Sequence, residues 1–182
     1  MDNLVTIFLT IIVFLSVISL IYVLLYNNLQ AHKIKINESE AIIDDLLRKK
    51  FDLLLKIKNI VVDNTEVEEK NFEQFANLTE INISSFDFER KLTEFNSLIN
   101  QIKLDYSVLE NHETFDIDYE DIYKLNERLE ATKVFYNRYT SILNKLIKKF
   151  PSNIIAKIHH IDVQTFFDGK DMFDDDLEDF KI

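Results

Sequence analysis

The first apolar pattern along the chain is a run without any charged side chain. From Leu4 to Leu25, 17 of 22 residues are Leu, Ile, Val or Phe. A helix of this length crosses a hydrocarbon core of about 30 Å, because each residue rises about 1.5 Å. At about -0.3 to -0.6 kcal/mol per apolar residue, bilayer insertion is favoured by about 5 to 10 kcal/mol. The pattern predicts a transmembrane anchor over residues 1–25, with Tyr22 and Tyr26 near the membrane interface.

A cleaved signal peptide is the competing interpretation of this run. Asp2 is the only charged side chain before the run, which is longer than the 7–15 residues of a signal sequence and has no small-residue cleavage pattern after it. An uncleaved, single-pass anchor is therefore predicted. Lys33 and Lys35 follow the run, and residues 48–50 are basic, which favours an outside N-terminus and a cytoplasmic domain at the cell membrane.

Three later segments have the apolar spacing of amphipathic helices. Each pattern holds for about three to four heptads, so long helices packed side by side at shallow angles are expected. Lys50 interrupts the first stripe. The stripes are Ile36, Ile43, Leu47, Leu54, Ile57 and Val61; Phe88, Leu92, Phe95, Ile99, Ile102, Tyr106 and Leu109; and Ile122, Leu125, Leu129, Thr132, Tyr136, Tyr139, Leu143, Leu146 and Phe150.

The predicted fold is all-α. Residues 27–62 contain neither Gly nor Pro, so the transmembrane helix should continue into an elongated antiparallel three- to four-helix bundle over residues 26–160. Thr65 and Glu68 have the spacing of a capping box, which predicts a short helix with Phe72, Phe75 and Leu78 on one face. The segment 82–85 looks like a connection ending in an N-cap.

The last long helix is expected to begin near Asp116 or Asp118, either of which would cap it, and to end at Pro151. Phe150 should complete its apolar stripe, and Ser152 or Asn153 should cap a short helix that follows.

Composition narrows the class of protein. The 182 residues include one Gly, one Pro and no Cys, which excludes Gly-rich phosphate loops, cysteine nucleophiles and Cys-ligated zinc. The net charge of -11 argues against nucleic-acid binding. Residues 161–182 are predicted to form an acidic, flexible tail; the alternative is a docking segment anchored by Phe166, Phe167, Phe173 and Phe180.

No catalytic or metal-binding arrangement is predicted. His159, His160 and Asp162 are the only cluster that suggests a metal, but adjacent histidines on a helix point about 100° apart and no further ligand is visible. No Ser-His-Asp arrangement or Glu-x-x-His pair is found either. We therefore expect neither a cofactor nor enzymatic activity.

Several polar and aromatic residues are predicted to mediate packing or interaction. Asn137 and Asn144 are seven residues apart, so they either form a polar ladder beside the apolar stripe or are simply exposed. The basic residues Arg48, Lys49 and Lys50 spread around the first helix. They form either a solvated collar or a contact for lipid headgroups or an acidic partner.

The pattern from Tyr26 to about Phe167 resembles the LemA family of bacterial proteins. The resemblance is carried by Tyr26-Asn27, by the run from Leu47 to Leu53, and above all by residues near the C-terminus. These last are Phe135-Tyr136-Asn137, Asn144, Phe150-Pro151-Ser152-Asn153-Ile154-Ile155-Ala156 and Phe166-Phe167.

The resemblance implies a single-pass membrane protein with a helical bundle that self-associates and has no established enzymatic activity. The predicted function is a membrane-anchored scaffold that binds itself or an envelope protein, and the packing residues are Tyr26, Asn27, Tyr136, Asn137, Asn144, Phe150, Pro151 and Asn153. The alternative is a membrane-surface or lipid-remodelling module acting through residues 48–50 and the anchor.

Overall fold

A computed structural model describes residues 2–76, 78 and 83–168. The described residues form α-helices and short 3-10 helices, and none of them lies in a strand. The α-helices are α1 (Asp2–Asn64), α2 (Ser85–Asp105), α3 (Glu113–Lys148) and α4 (Ser152–Ile158), with 3-10 helices at Glu69–Phe75 and Ser107–Asn111. The predicted all-α fold is confirmed.

Helix α1 is continuous from the apolar run into the packed part of the chain, as the absence of Gly and Pro predicted. Its most apolar window has a mean hydropathy of 2.9, and none of that window is buried. Thr10 and Ser16 donate hydrogen bonds to the carbonyls of Thr6 and Ile12, both at 2.8 Å. Such bonds matter in a membrane, where no water is available to satisfy a hydroxyl. The helix therefore contains an exposed candidate membrane span.

The chain divides into two compact units, and the predicted bundle at 26–160 is distributed between them. Among the described residues, the first unit comprises 2–38 and 136–166, and the second comprises 39–135 and 167–168. The first unit has a core contributed by α1, α3, α4 and the segment after α4. Its buried residues are Leu29, Ile36, Leu143, Ile155, Ala156 and Ile161.

The second unit buries the predicted stripe positions of α1, α2 and the first part of α3. Phe95 is at its centre: its ring stacks on Phe75 with centroids 4.5 Å apart and also contacts Phe72 at 5.8 Å. Phe72, Phe75 and Leu78 are buried as predicted. Offset and tilted aromatic pairs of this kind add to the apolar burial that holds the helices together.

The predicted capping box is wrong, although the N-cap of α2 is confirmed. Residues 69–75 form a 3-10 helix without a side-chain cap. Thr65 instead donates to the Val61 carbonyl at 2.7 Å and accepts from the Val67 amide at 3.2 Å, because it lies in the turn that ends α1. At α2, the Ser84 hydroxyl accepts from the Asp87 amide at 3.1 Å.

Helix α3 begins earlier than predicted. The Nδ1 of His112 accepts a hydrogen bond from the Phe115 amide at 3.2 Å and so caps the first turn. Asp116 and Asp118 lie inside the helix, and their predicted capping role is wrong. Carboxylates in a first turn still interact favourably with the helix dipole.

The turn between α3 and α4 also differs from expectation. Phe150 is 72% exposed and does not complete the α3 stripe, because the helix ends at Lys148 and the side chain leaves the buried face. Pro151, after a cis peptide bond, occupies the N-cap position of α4, so the predicted capping by Ser152 or Asn153 is wrong.

Packing extends into the segment that we assigned to the tail. Ile161 is buried in the core of the first unit. Residues 169–182, with Phe173 and Phe180, lie outside the described residues.

Candidate interaction site

In the first unit, α4 closes against the end of the apolar run through an aromatic cluster. The Nε2 of His159 lies 2.5 Å from the hydroxyl oxygen of Tyr22, and its ring centroid lies 4.4 Å from that of Tyr26. Tyr22 and Tyr26 are one helical turn apart on α1, so one imidazole bridges both. The sequence suggests a metal ligand at His159 and gives no sign of this packing role. No local signal pairs residues 137 positions apart.

Asn144 fixes the segment after α4 to α3. Its side chain is fully buried and makes two hydrogen bonds with the backbone of Gln164: Nδ2 donates to the carbonyl at 2.7 Å, and Oδ1 accepts from the amide at 2.9 Å. Tyr136 donates to the Thr165 carbonyl at 3.2 Å. Asn144 is buried rather than exposed. Its partner is this segment rather than another helix.

The other predicted packing residues are not part of this cluster. Asn27, Phe150 and Pro151 are exposed, and Asn137 is half-buried. Asn153 is half-buried, and within the described residues its buried Oδ1 has no hydrogen-bond partner. The structure therefore brings Tyr26, Tyr136 and Asn144 into the first unit's packing and leaves the turn at Phe150 on its surface.

The three basic residues predicted to form a collar have different environments. Arg48 is exposed, and Lys49 is exposed and paired with Asp45 at 2.7 Å. Lys50 is only 5% exposed, so its place in a solvated collar or a lipid contact is wrong. The reason is its position on the apolar stripe that faces the core of the second unit. Burial lowers the pKa of Lys50, since desolvation penalises the ammonium form.

A second lysine in this unit holds the neighbouring carboxylates. Lys133 contacts Glu89 at 2.7 Å and Glu130 at 2.6 Å, and the side chains of Lys133 and Glu89 are 17% and 16% exposed. Desolvation lowers the pKa of Lys133, but the two hydrogen-bonded carboxylates outweigh it and the net shift is upward. The Lys133 ammonium also lies 5.5 Å from the centroid of the Phe167 ring.

Lys49 lines an open groove of about 400 Å³ with three basic residues that sequence reasoning missed. These are Lys56, Lys124 and Arg128, and the acidic residues Asp52 and Asp121 line the same groove. Lys124 is paired with Glu120 and Asp121 at 3.1 and 3.2 Å. The positive charge of this groove is therefore partly neutralised by its own carboxylates.

Within the described ranges, no three His, Asp or Glu side chains are grouped to hold a metal ion. His159 is engaged by the two tyrosines, and His160 follows it in the left-handed region with φ 50°. Both histidines lie in the turn that ends α4.

The sequence model of the LemA family matches residues 39–176, about three quarters of the chain. The chain belongs to the LemA family. No curated protein and no solved structure matches it. The LemA match confirms the resemblance carried by Asn144 and by the turn at residues 150–153, and with the candidate span it supports a membrane-associated protein.

Replacing Asn144 is expected to release the segment that it holds in this LemA protein. Asn144→Ala removes both bonds to Gln164 and should lower the free energy of unfolding by about 1 to 2 kcal/mol, since two backbone groups of a half-buried residue lose their partner. Hydrogen exchange should show faster exchange of the Gln164 amide. Asn27→Ala, at an exposed asparagine, is the control, and equal protection in both variants would contradict the assigned role.

Proposed function

We propose that this LemA-family protein is a membrane-anchored helical scaffold that self-associates or binds another envelope protein and has no catalytic activity of its own. The observation that carries the proposal is the continuity of α1, in which an unburied apolar segment leads without a break into the packed units. A helix of this kind fixes a folded domain to a bilayer. At the sites described above, Asn144 bonds to the Gln164 backbone and Lys133 pairs with Glu89.

Three exposed apolar side chains near the α2–α3 connection of the second unit support an association surface. Leu104 at the end of α2, Val108 in the next 3-10 helix and Ile117 in the first turns of α3 are all more than half exposed. The two helix ends meet here, since Lys103 contacts Asp116 at 3.6 Å. Single exposed apolar residues are ordinary, whereas grouped ones mark interaction surfaces.

Crosslinking of the full-length protein in native membranes, followed by mass measurement, tests this function. We expect crosslinked oligomers or a defined hetero-complex that are lost in the triple variant Leu104→Lys, Val108→Lys and Ile117→Lys. A matched variant with three lysines at the exposed polar positions Asn59, Ser97 and Gln101 should retain them. A monomer without partners in the unmodified protein would overturn the proposal.

The proposed location is the cell membrane, with the N-terminus outside and the folded units cytoplasmic. Lys33 and Lys35 close to the run support this orientation, because cytoplasmic flanks carry the excess of basic residues. A reporter fused after Ile182 should be active only as a cytoplasmic fusion. Activity of an exported reporter at the same site would reverse the orientation.

A further inference from the structure

Helix α4 has an apolar face that no described residue covers. Ile154 and Ile158 are four residues apart in α4, so they share one side of the helix, and they are 48% and 57% exposed. Phe150, in the turn that precedes α4, is 72% exposed. The opposite side, with Ile155 and Ala156, is buried in the core of the first unit. The exposed face is therefore a surface of a firmly packed element.

The contacts of the first unit place this face beside the apolar run. On α3, Tyr139 lies next to His32 with ring centroids 6.0 Å apart, whereas His159 at the end of α4 reaches Tyr22. The two contact points on α1, His32 and Tyr22, are ten residues apart, which is about 15 Å along the helix. The chain from Tyr139 to His159 therefore advances by that distance towards the apolar run. Tyr22 is inside the run from Leu4 to Leu25. The turn at Phe150 and the whole of α4 thus lie at the level where the candidate span ends.

The charge of this region is opposite to that of the chain. Residues 131–161 contain six Lys and Arg and no Asp or Glu. The residues 2–38 and 136–166 of the first unit have a net charge of +4, while the whole chain has -11. Lys145, Lys149 and Lys157 are exposed near the apolar face. Apolar side chains flanked by lysines are the combination that binds the surface of an anionic bilayer.

We propose that α4 and the preceding turn form a second membrane contact, distinct from the span. Phe150, Ile154 and Ile158 enter the boundary between headgroups and acyl chains, and Lys145, Lys149 and Lys157 bind anionic lipid headgroups. The contact holds the first unit against the bilayer. This inference rests on the membrane anchoring of α1 and is independent of self-association.

The test uses the full-length protein in vesicles and exploits the absence of tryptophan from the chain. Phe150→Trp places one fluorophore on the proposed contact, and Phe135→Trp places one on an exposed position of α3 in the second unit. In phosphatidylserine-containing vesicles with lipids brominated near the headgroup, we expect Phe150→Trp to be quenched at least twofold more than Phe135→Trp. Acrylamide should quench it less.

The charge dependence is tested in the same vesicles. Lys145→Glu, Lys149→Glu and Lys157→Glu in the Phe150→Trp background should at least halve the quenching by brominated lipid. Equal lipid quenching at the two tryptophans would overturn the contact, and equal quenching in neutral and anionic vesicles would overturn the role of the lysines. A blue-shifted emission without lipid quenching would mean that protein covers the face and would overturn the bilayer as its occupant. Any of these results leaves the crosslinking test of the scaffold unaffected.

Discussion

Lys133→Met should lower the free energy of unfolding by about 2 to 4 kcal/mol, whereas Lys50→Met should raise it by about 1 kcal/mol or more. Both lysines belong to one charged cluster in the second unit. Lys133 is the ion-pair partner of the nearly buried Glu89, and its loss leaves that carboxylate without a hydrogen-bonded cation. Lys50 is buried, and no ion pair of Lys50 is found among the described residues. An apolar side chain of similar length removes its desolvation cost.

Chemical denaturation in detergent across pH 7 to 11 measures both effects. The lowered pKa of Lys50 means that the unfolded chain binds more protons between that pKa and 10.5, so stability should rise with pH in this window. Lys50→Met should lose this rise. The raised pKa of Lys133 has the opposite sign, since its stabilisation is complete below 10.5 and is lost as pH passes through the raised value.

Lys49→Met is the matched control, because Lys49 is adjacent, exposed and paired only at the surface. Its effect should stay within about 0.5 kcal/mol. Destabilisation by Lys50→Met comparable to that by Lys133→Met would show that the cluster needs both cations.

The long elements were predictable because they depend on many residues at once. The stripe positions of α1 and α2 repeat over several turns, so no single exception obscures the pattern, and the continuity of α1 follows from the lack of Gly and Pro. The prediction for Lys50 is wrong because it rests on the charge of a single residue and not on the repeated pattern. A basic residue inside a stripe was assigned to the surface from its charge, although its position on the helix determines its burial.

Helix ends and the site depend on single contacts and were predicted less well. An N-cap in the segment 82–85 is predictable, and Ser84 supplies it. At α3 the capping atom belongs to His112, a residue type that is no stronger a sequence signal than the nearby aspartates. Asn144 belongs to the family signature and is buried. Its contact with Gln164 and the contact of His159 with Tyr22 both join residues far apart in the sequence, and both form only because the chain folds back after α3.

Two charges at the centre of the apolar run should remove the protein from the bilayer. Phe14→Arg with Leu15→Arg costs about 5 to 7 kcal/mol, which offsets most of the insertion energy of about 5 to 10 kcal/mol. The two side chains point about 100° apart on the helix, so they cannot share one polar partner. We expect the double variant to appear mainly in the soluble or aggregated fraction after alkaline extraction, and the conservative variant Phe14→Leu with Leu15→Ile to stay in the membrane.

Flotation on a density gradient separates aggregated protein from protein inserted in membranes, and it also distinguishes the two membrane contacts. If α4 binds the bilayer surface as proposed, part of the arginine variant should float with anionic vesicles at low salt and be released at high salt, because screening weakens headgroup binding. Adding the three Lys→Glu changes at Lys145, Lys149 and Lys157 should abolish this remaining binding. Full membrane integration of the arginine variant would instead show that α1 is not what anchors the chain.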